Sequence, residues 1–478
     1  MKYIKNYIDG QLATPVQGDY LDLFDPSTGQ VYAQVPDSDI SDVEAAVQAA
    51  QQAFPAWESS SITERSRILT KIADLIEANL DQLAKAESLD NGKPVWLAKQ
   101  VDIPRASSNF RFFAQAITQF STQAHEMTNA INFTLRQALG VVGTISPWNL
   151  PLYLFTWKVA PALATGNCVI AKPSEVTPMT AYLLSEICIE AGLPAGVFNI
   201  VHGDGIRVGA EISKHPKVKA ISFTGSTRVG AEIAKVAAPV FKKISLEMGG
   251  KNPNIIFADC DYEKMLNTTI RSSFANQGQI CLCGSRILVE RSIYEQFKND
   301  FVARTQALKV GHPSDDSVNL GAIVSKPHYD KILSYIQIAQ EEGGQILAGG
   351  HAVFPEGYEQ GWYIEPTIIE GLSQDCRTNQ EEIFGPVVTI MPFDTEEEAL
   401  SLANCTEYGL ASIIWTENIS RANRMAKNIH AGIVWVNTWL LRDLRTPFGG
   451  VKNSGVGREG GFEALRFFTE PKNVCIQF

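Results

Sequence analysis

The chain has 478 residues, too many for one hydrophobic core, so two or more domains are expected. Its 45% hydrophobic and 19% charged residues form an ordinary globular balance. The net charge of -11 argues against a nucleic-acid partner and against an anionic membrane surface.

Residues Met1–Tyr7 lack the apolar run of a signal peptide. The longest weakly charged stretch, Gly140 to Trp157, is broken by Pro147, Asn149 and Pro151, so it does not read as a membrane span. Eight cysteines show no C-x-x-C pair, and seven histidines show no cluster; no metal site and no disulfide framework are expected. These features describe a soluble protein of a reducing compartment, the cytoplasm.

Residues 1–35 read as short strands with turns at Asp9-Gly10 and Asp25-Pro26. A helix is expected from about Ser41 to Trp57, with Ser41 and Glu44 as its capping box. The helical period continues from Ile62 to Glu87, and again from about Val95 to Phe120. Phe133 to Val142 is strand-like. From there strands alternate with helices. The expected strands are 168–171, 197–201, 220–223 and 243–246, and the expected helices are 179–191, 206–214 and one from Thr227. That rhythm implies parallel strands with crossover helices, a layout that binds nucleotides at strand C-termini. A second alternating unit follows Gly250, with helices at 292–305 and 328–342 and strands at 387–392, 413–415 and 433–436. Val474–Gln477 reads as an edge strand, and pairing with another subunit is one way to cover it.

Several segments carry possible chemistry. Gly278-Gln279-Ile280-Cys281 presents a thiol after a glycine-containing turn, where a thiolate would be a strong nucleophile. Thr224-Gly225-Ser226 ends a strand and opens a helix, offering N–H groups to a phosphate, although it is not G-x-G-x-x-G. Lys172-Pro173-Ser174-Glu175 could bind ribose hydroxyls, and the carboxylate would repel a 2′-phosphate. Glu247, beside Gly249 and Gly250, could be a general base. The amide of Asn149 in Pro147-Trp148-Asn149 could donate to an oxyanion. Each segment alone is also compatible with an ordinary turn or surface residue.

Their joint order, with Glu381-Glu382-Ile383-Phe384-Gly385-Pro386 and Pro447-Phe448-Gly449-Gly450, resembles the aldehyde dehydrogenase superfamily over nearly the whole chain. The resemblance implies an α/β fold with a Rossmann-like NAD-binding domain at 1–120 and 140–248. It adds a second α/β catalytic domain at 249–435 and a small β oligomerisation arm at 121–139 and 458–478. It implies Cys281 as nucleophile, Glu247 as base, and Asn149 with the Cys281 N–H as the oxyanion hole. Lys172 and Glu175 would contact the adenine ribose, Ser226 and Gly225 the pyrophosphate region, and Glu382 and Phe384 the nicotinamide ribose and ring, with Trp148 a further cofactor contact. NAD is the implied cofactor, a small aldehyde the partner, and a homodimer or homotetramer the assembly.

Ile103-Pro104-Arg105, Asn109–Phe113 and Trp439–Pro447 look like the branch acting on 2-aminomuconate and 2-hydroxymuconate semialdehydes. Those substrates carry a carboxylate remote from the aldehyde. Arg105 and Arg442 are the candidates to clamp it, ahead of Arg111 and Arg445. Betaine aldehyde or succinate semialdehyde is the alternative substrate class.

Overall fold

The computed structural model describes residues 2–478. Five parallel strands form the centre of the first sheet: β1 (Val141–Ile145), β2 (Cys168–Lys172), β3 (Phe198–Ile200), β4 (Val218–Thr224) and β5 (Lys243–Glu247). Their order is β5-β4-β1-β2-β3, with Gly455–Val456 added antiparallel beyond β5 and Asn6–Ile8 and Gln11–Ala13 beyond β3. Every residue of β1 and β2 is buried, the signature of a parallel sheet covered on both faces. Helix Pro151–Ala164, buried along its whole length, packs on these two strands.

A second parallel set consists of β6 (Pro253–Ile256), β7 (Arg286–Glu290), β8 (Thr367–Glu370), β9 (Val387–Phe393), β10 (Ala411–Trp415) and β11 (Ile433–Val436). Their order is β8-β9-β7-β6-β10-β11, with Gln345–Ala348 antiparallel at the β8 edge. A third, antiparallel sheet joins Ala124–Met127, Ala130–Ala138 and Thr469–Gln477, with Thr469 opposite Ala138 and Gln477 opposite Ala130. Thr469–Gln477 is an edge strand there and is mostly exposed. Among the described residues no helix is long and apolar enough to cross a membrane.

Several element boundaries differ from the sequence expectation. Helix Ile40–Ser59 is capped by Asp39 and Asp42, not by Ser41 and Glu44. Asp39 is extended and accepts from the Ser41 N–H, while Glu44 faces outward to Gln48 and His215. The 62–87 pattern is two helices, Ile62–Ala78 and Leu80–Asn91, because the Asn79 side-chain amide donates to the Leu75 carbonyl and stops the first. The 95–120 segment contains a π-helical turn, Ala98–Asp102, before helix Ile103–Ala116. Phe133 to Val142 belongs to two sheets, and the chain changes sheet at Leu139-Gly140, where Gly140 has φ +118°.

Candidate active site

Strand β1 has β2 on one side and β4 on the other. The chain runs from β1 outward through β2 and β3, then returns to build β4 and β5 on the opposite side. This reversal opens a crevice beyond the carboxyl ends of β1 and β4. Pro147-Trp148-Asn149 follows β1, Pro173–Glu175 follows β2, Gly225-Ser226 follows β4, and Glu247 ends β5. Ser226 caps helix Thr227–Ala237, leaving first-turn N–H groups facing the crevice end of that helix. Gly230 lets the helix press on β5's extension: a Cβ there would lie 2.2 Å from the Met248 sulfur. The buried Lys172 ammonium donates to Glu175 Oε2 at 2.7 Å.

The cysteine turn holds the longest left-handed run among the described residues. Asn276, Gln277 and Gly278 have φ of 53°, 57° and 70° in succession, a left-handed run that costs non-glycine residues energy. Side chains on both flanks hold it. Gln277 Nε2 donates to the Ala322 carbonyl at 2.8 Å, and Asn276 Nδ2 to the Asn149 carbonyl at 3.0 Å. A Cβ on Gly278 would come within 2.1 Å of the Gly385 carbonyl, so only glycine allows the turn to touch the Glu382–Phe384 loop. Asn252 Nδ2 donates to the carbonyls of Cys281 (2.7 Å) and Cys283 (2.9 Å), and the Trp439 indole to that of Leu282 (2.9 Å).

A cavity of about 160 Å³ lies between these parts. Trp148, Asn149, Gly225, Ser226, Cys281, Glu382 and Phe384 all line it. Asn149 Nδ2 donates to the Gln279 carbonyl at 3.0 Å, which uses one amide hydrogen and leaves the second. The half-buried Cys281 thiol is pushed well above its ordinary range by burial and by the charges of Glu382 and Glu247. Glu247 lies outside this lining but is buried, and neither carboxylate oxygen has a hydrogen-bond partner. Burial, and then the charge of Glu459, raise its carboxyl far above the usual range, against the pull of Lys158, Arg458 and Arg442. Gly449 makes room for it, since a Cβ there would fall 2.5 Å from Glu247 Oε1.

Two lining residues were not legible in the sequence, His328 and Lys331 of helix Lys326–Glu341. Burial lowers His328 to about 4, so it is neutral and donates to the Phe384 carbonyl at 2.7 Å. Lys331 donates to the Glu382 carbonyl at 2.9 Å. Together they fix a loop in which Phe384 is left-handed, φ 66°, with its ring edge-on to Trp148 at 5.3 Å. Nothing in the local pattern of a helix start marks such a role.

Residues 14–474 match the aldehyde dehydrogenase family. The chain belongs to that family. It is 50% identical to a 2-aminomuconic semialdehyde dehydrogenase of Danio rerio, covering 100% of this chain and 99% of the relative. It is 48% identical to a 2-hydroxymuconic semialdehyde dehydrogenase of Pseudomonas sp. (strain CF600), covering 100% of both. Among solved structures, an NAD+ complex of an aldehyde dehydrogenase from Bacillus cereus superposes with a TM-score of 0.97 at 38% identity, covering 100% of this chain and 97% of that one. The fold is therefore that of the aldehyde dehydrogenases.

In this aldehyde dehydrogenase the four arginines singled out earlier separate into two pairs. Arg111 is bound to Asp74 (2.9 Å) and Glu77 (2.8 Å), and Arg445 to Asp443 (2.6 Å); both are committed on the surface. Arg105 and Arg442 meet at Tyr153. The Arg105 guanidinium lies 5.7 Å from the Tyr153 ring, and Arg442 Nη1 donates to the Tyr153 hydroxyl at 2.7 Å. Arg442 is sandwiched between Trp157 (4.4 Å) and Phe448 (3.9 Å), and its Nη2 is buried without a partner. Neither arginine lines the cavity, but the buried Arg442 nitrogen is a donor without an acceptor. The helix start at Ser226 and the Lys172–Glu175 pair suit a pyrophosphate and a ribose, so the crevice fits a dinucleotide.

Proposed function

We propose that the chain oxidises a carboxylate-bearing semialdehyde, 2-aminomuconate or 2-hydroxymuconate semialdehyde, to the acid with NAD as acceptor. The observation that carries this reading is one cavity lined by Cys281, Asn149, Ser226 and Glu382 together. The names of the relatives support the substrate, and the unpartnered Arg442 nitrogen supports its charge. Lys172, Glu175, Gly225 and Ser226 would hold the adenosine and pyrophosphate end of the cofactor, and Trp148, Glu382 and Phe384 the nicotinamide end.

Glu247 removes the Cys281 proton, and the sulfur attacks the aldehyde carbon. A C–S bond forms while the carbonyl electrons move onto oxygen. Asn149 Nδ2 and the Cys281 N–H donate to that oxyanion; one such donor is worth about 3 kcal/mol in the transition state. NAD, when bound, would supply the two-electron acceptor for the hydride. The oxyanion re-forms its carbonyl, leaving a thioester on Cys281. Glu247 releases the first proton to solvent and then takes one from water, the hydroxyl adds to the thioester carbon, and the C–S bond breaks to release the acid while Glu247 returns its proton to the Cys281 sulfur.

Residues 121–139 and 458–478 form the arm in this proposal, with 1–120 and 140–248 as cofactor domain and 249–435 as catalytic domain. The exposed edge Thr469–Gln477 supports pairing with a second copy in a homodimer or homotetramer. Eight free cysteines support a reducing, cytoplasmic setting.

Following NADH absorbance with anionic and neutral aldehydes tests the substrate. Arg442→Ala is expected to raise KM for a muconic semialdehyde by about 10- to 100-fold, the worth of a charge-assisted hydrogen bond. A neutral aldehyde should keep its KM, with only a shared loss in kcat because Arg442 also lowers the Glu247 carboxyl. Equal KM losses on both would remove the clamp. Glu175→Gln is expected to improve kcat/KM for NADP relative to NAD by about 10-fold, since a like charge no longer faces the 2′-phosphate. An unchanged ratio would take Glu175 out of cofactor choice.

A further inference from the structure

Behind Asn149, on the side away from the cavity, lies an ionic cluster that the mechanism does not use. Lys93 is fully buried, with its ammonium 2.5 Å from Asp102 and 4.0 Å from Glu87. The same ammonium donates to the Asn149 carbonyl at 3.1 Å. Two side-chain amides converge on that carbonyl as well, Asn276 at 3.0 Å and Asn91 at 3.4 Å. Glu87 accepts the Leu152 N–H at 3.3 Å, which fixes the helix start just after Asn149. Burial pushes the carboxyls of both Glu87 and Asp102 up, against the pull of Lys93 between them.

Stability does not account for such a cluster. Buried ion pairs are frequently no better than apolar packing of the same volume. What this one does is set a backbone: it holds the peptide whose residue carries the free amide hydrogen aimed at the substrate oxygen. Releasing the carbonyl would let the peptide turn and swing the side chain, and a shift of about 1 Å at a reacting centre costs about 100-fold.

We propose that Lys93 is a positioning residue that sets the oxyanion donor Asn149 through its main-chain carbonyl. This rests on the reading of Asn149 as that donor. The test is a double-mutant cycle on the single-turnover rate of NADH formation in the full chain, with NAD affinity and Tm measured alongside. Asn149→Ala is expected to slow that rate by about 100-fold. Lys93→Met is expected to slow it by about 10- to 100-fold with NAD affinity kept. The double variant should be no more than about threefold slower than Asn149→Ala alone, because one lever is lost twice. A purely structural role would instead carry its loss into the Asn149→Ala background, and additive losses overturn the proposal. So does a wild-type rate in Lys93→Met. A harmless Asn149→Ala would sink the oxyanion reading itself, a separate result. If Lys93→Met does not fold, Lys93→Met with Asp102→Asn removes both charges and enters the same cycle.

Discussion

Cys281→Ala is expected to bring NADH formation below about 10⁻⁴ of the wild-type rate, the scale of losing a covalent nucleophile. NAD should bind with unchanged affinity, because Gly225, Ser226, Lys172 and Glu175 sit at the ends of other strands. The turn should also keep its shape: its contacts run through the Cys281 carbonyl and the side chains of Asn276 and Gln277, none of which the substitution touches. Cys283 cannot take over, being buried among apolar neighbours, so a further Cys283→Ala should change nothing. Equilibrium binding of NAD with stopped-flow absorbance checks both halves. Turnover near the wild-type rate would end the thioester route. In the wild-type enzyme the raised Cys281 thiol is protonated near neutrality, so acylation should quicken as pH rises.

Glu247→Gln should slow acylation and stall the enzyme at the thioester. Steady-state kcat is expected to fall by about 10²- to 10⁴-fold, the usual contribution of a positioned base. As pH rises and the thiolate fraction grows, the stoichiometric burst of NADH should quicken while the steady state stays low. Mass spectrometry of the quenched protein should then find the acyl group on Cys281. Wild-type steady-state turnover in this variant would remove Glu247 from hydrolysis. The pH dependence has a definite sign. Burial raises the Glu247 carboxyl, and a base must be ionised, so wild-type activity falls as pH drops through that raised value. Stability runs the other way. The folded state holds this proton more tightly than the unfolded chain, so stability is lost as pH rises through the raised value. Gln has no proton to lose, and the variant should gain in Tm over wild type on the alkaline side.

Much of this was legible along the chain because it is local. Helix Met179–Ala191 matches its expected limits, and four of the motifs that suggested chemistry sit at the ends of β1, β2, β4 and β5, neighbours in a doubly wound sheet. Boundaries failed where one side chain decides them, as with Asp39 at the first helix and Asn79 between the second and third. Non-local partners were invisible. Lys93 meets Asn149 across 56 positions, and Arg442 meets Tyr153 across 289. No periodicity records either pair. Chemistry could nominate and rank the arginines, but packing shows that Arg442 has one buried nitrogen without a partner while Arg445 is spent on its neighbour Asp443.

The close approach of Gly278 to the Gly385 carbonyl, with Asn276 tied to Asn149, knots the cysteine, the amide and the Phe384 loop into one piece. Residues 441–446 hang outside that knot, past the Trp439 anchor, and are mostly exposed. A lineage could therefore trade one aldehyde for another by rewriting this short span while the reactive apparatus is inherited intact. A change within the knot would disturb the cysteine, the amide and the loop together.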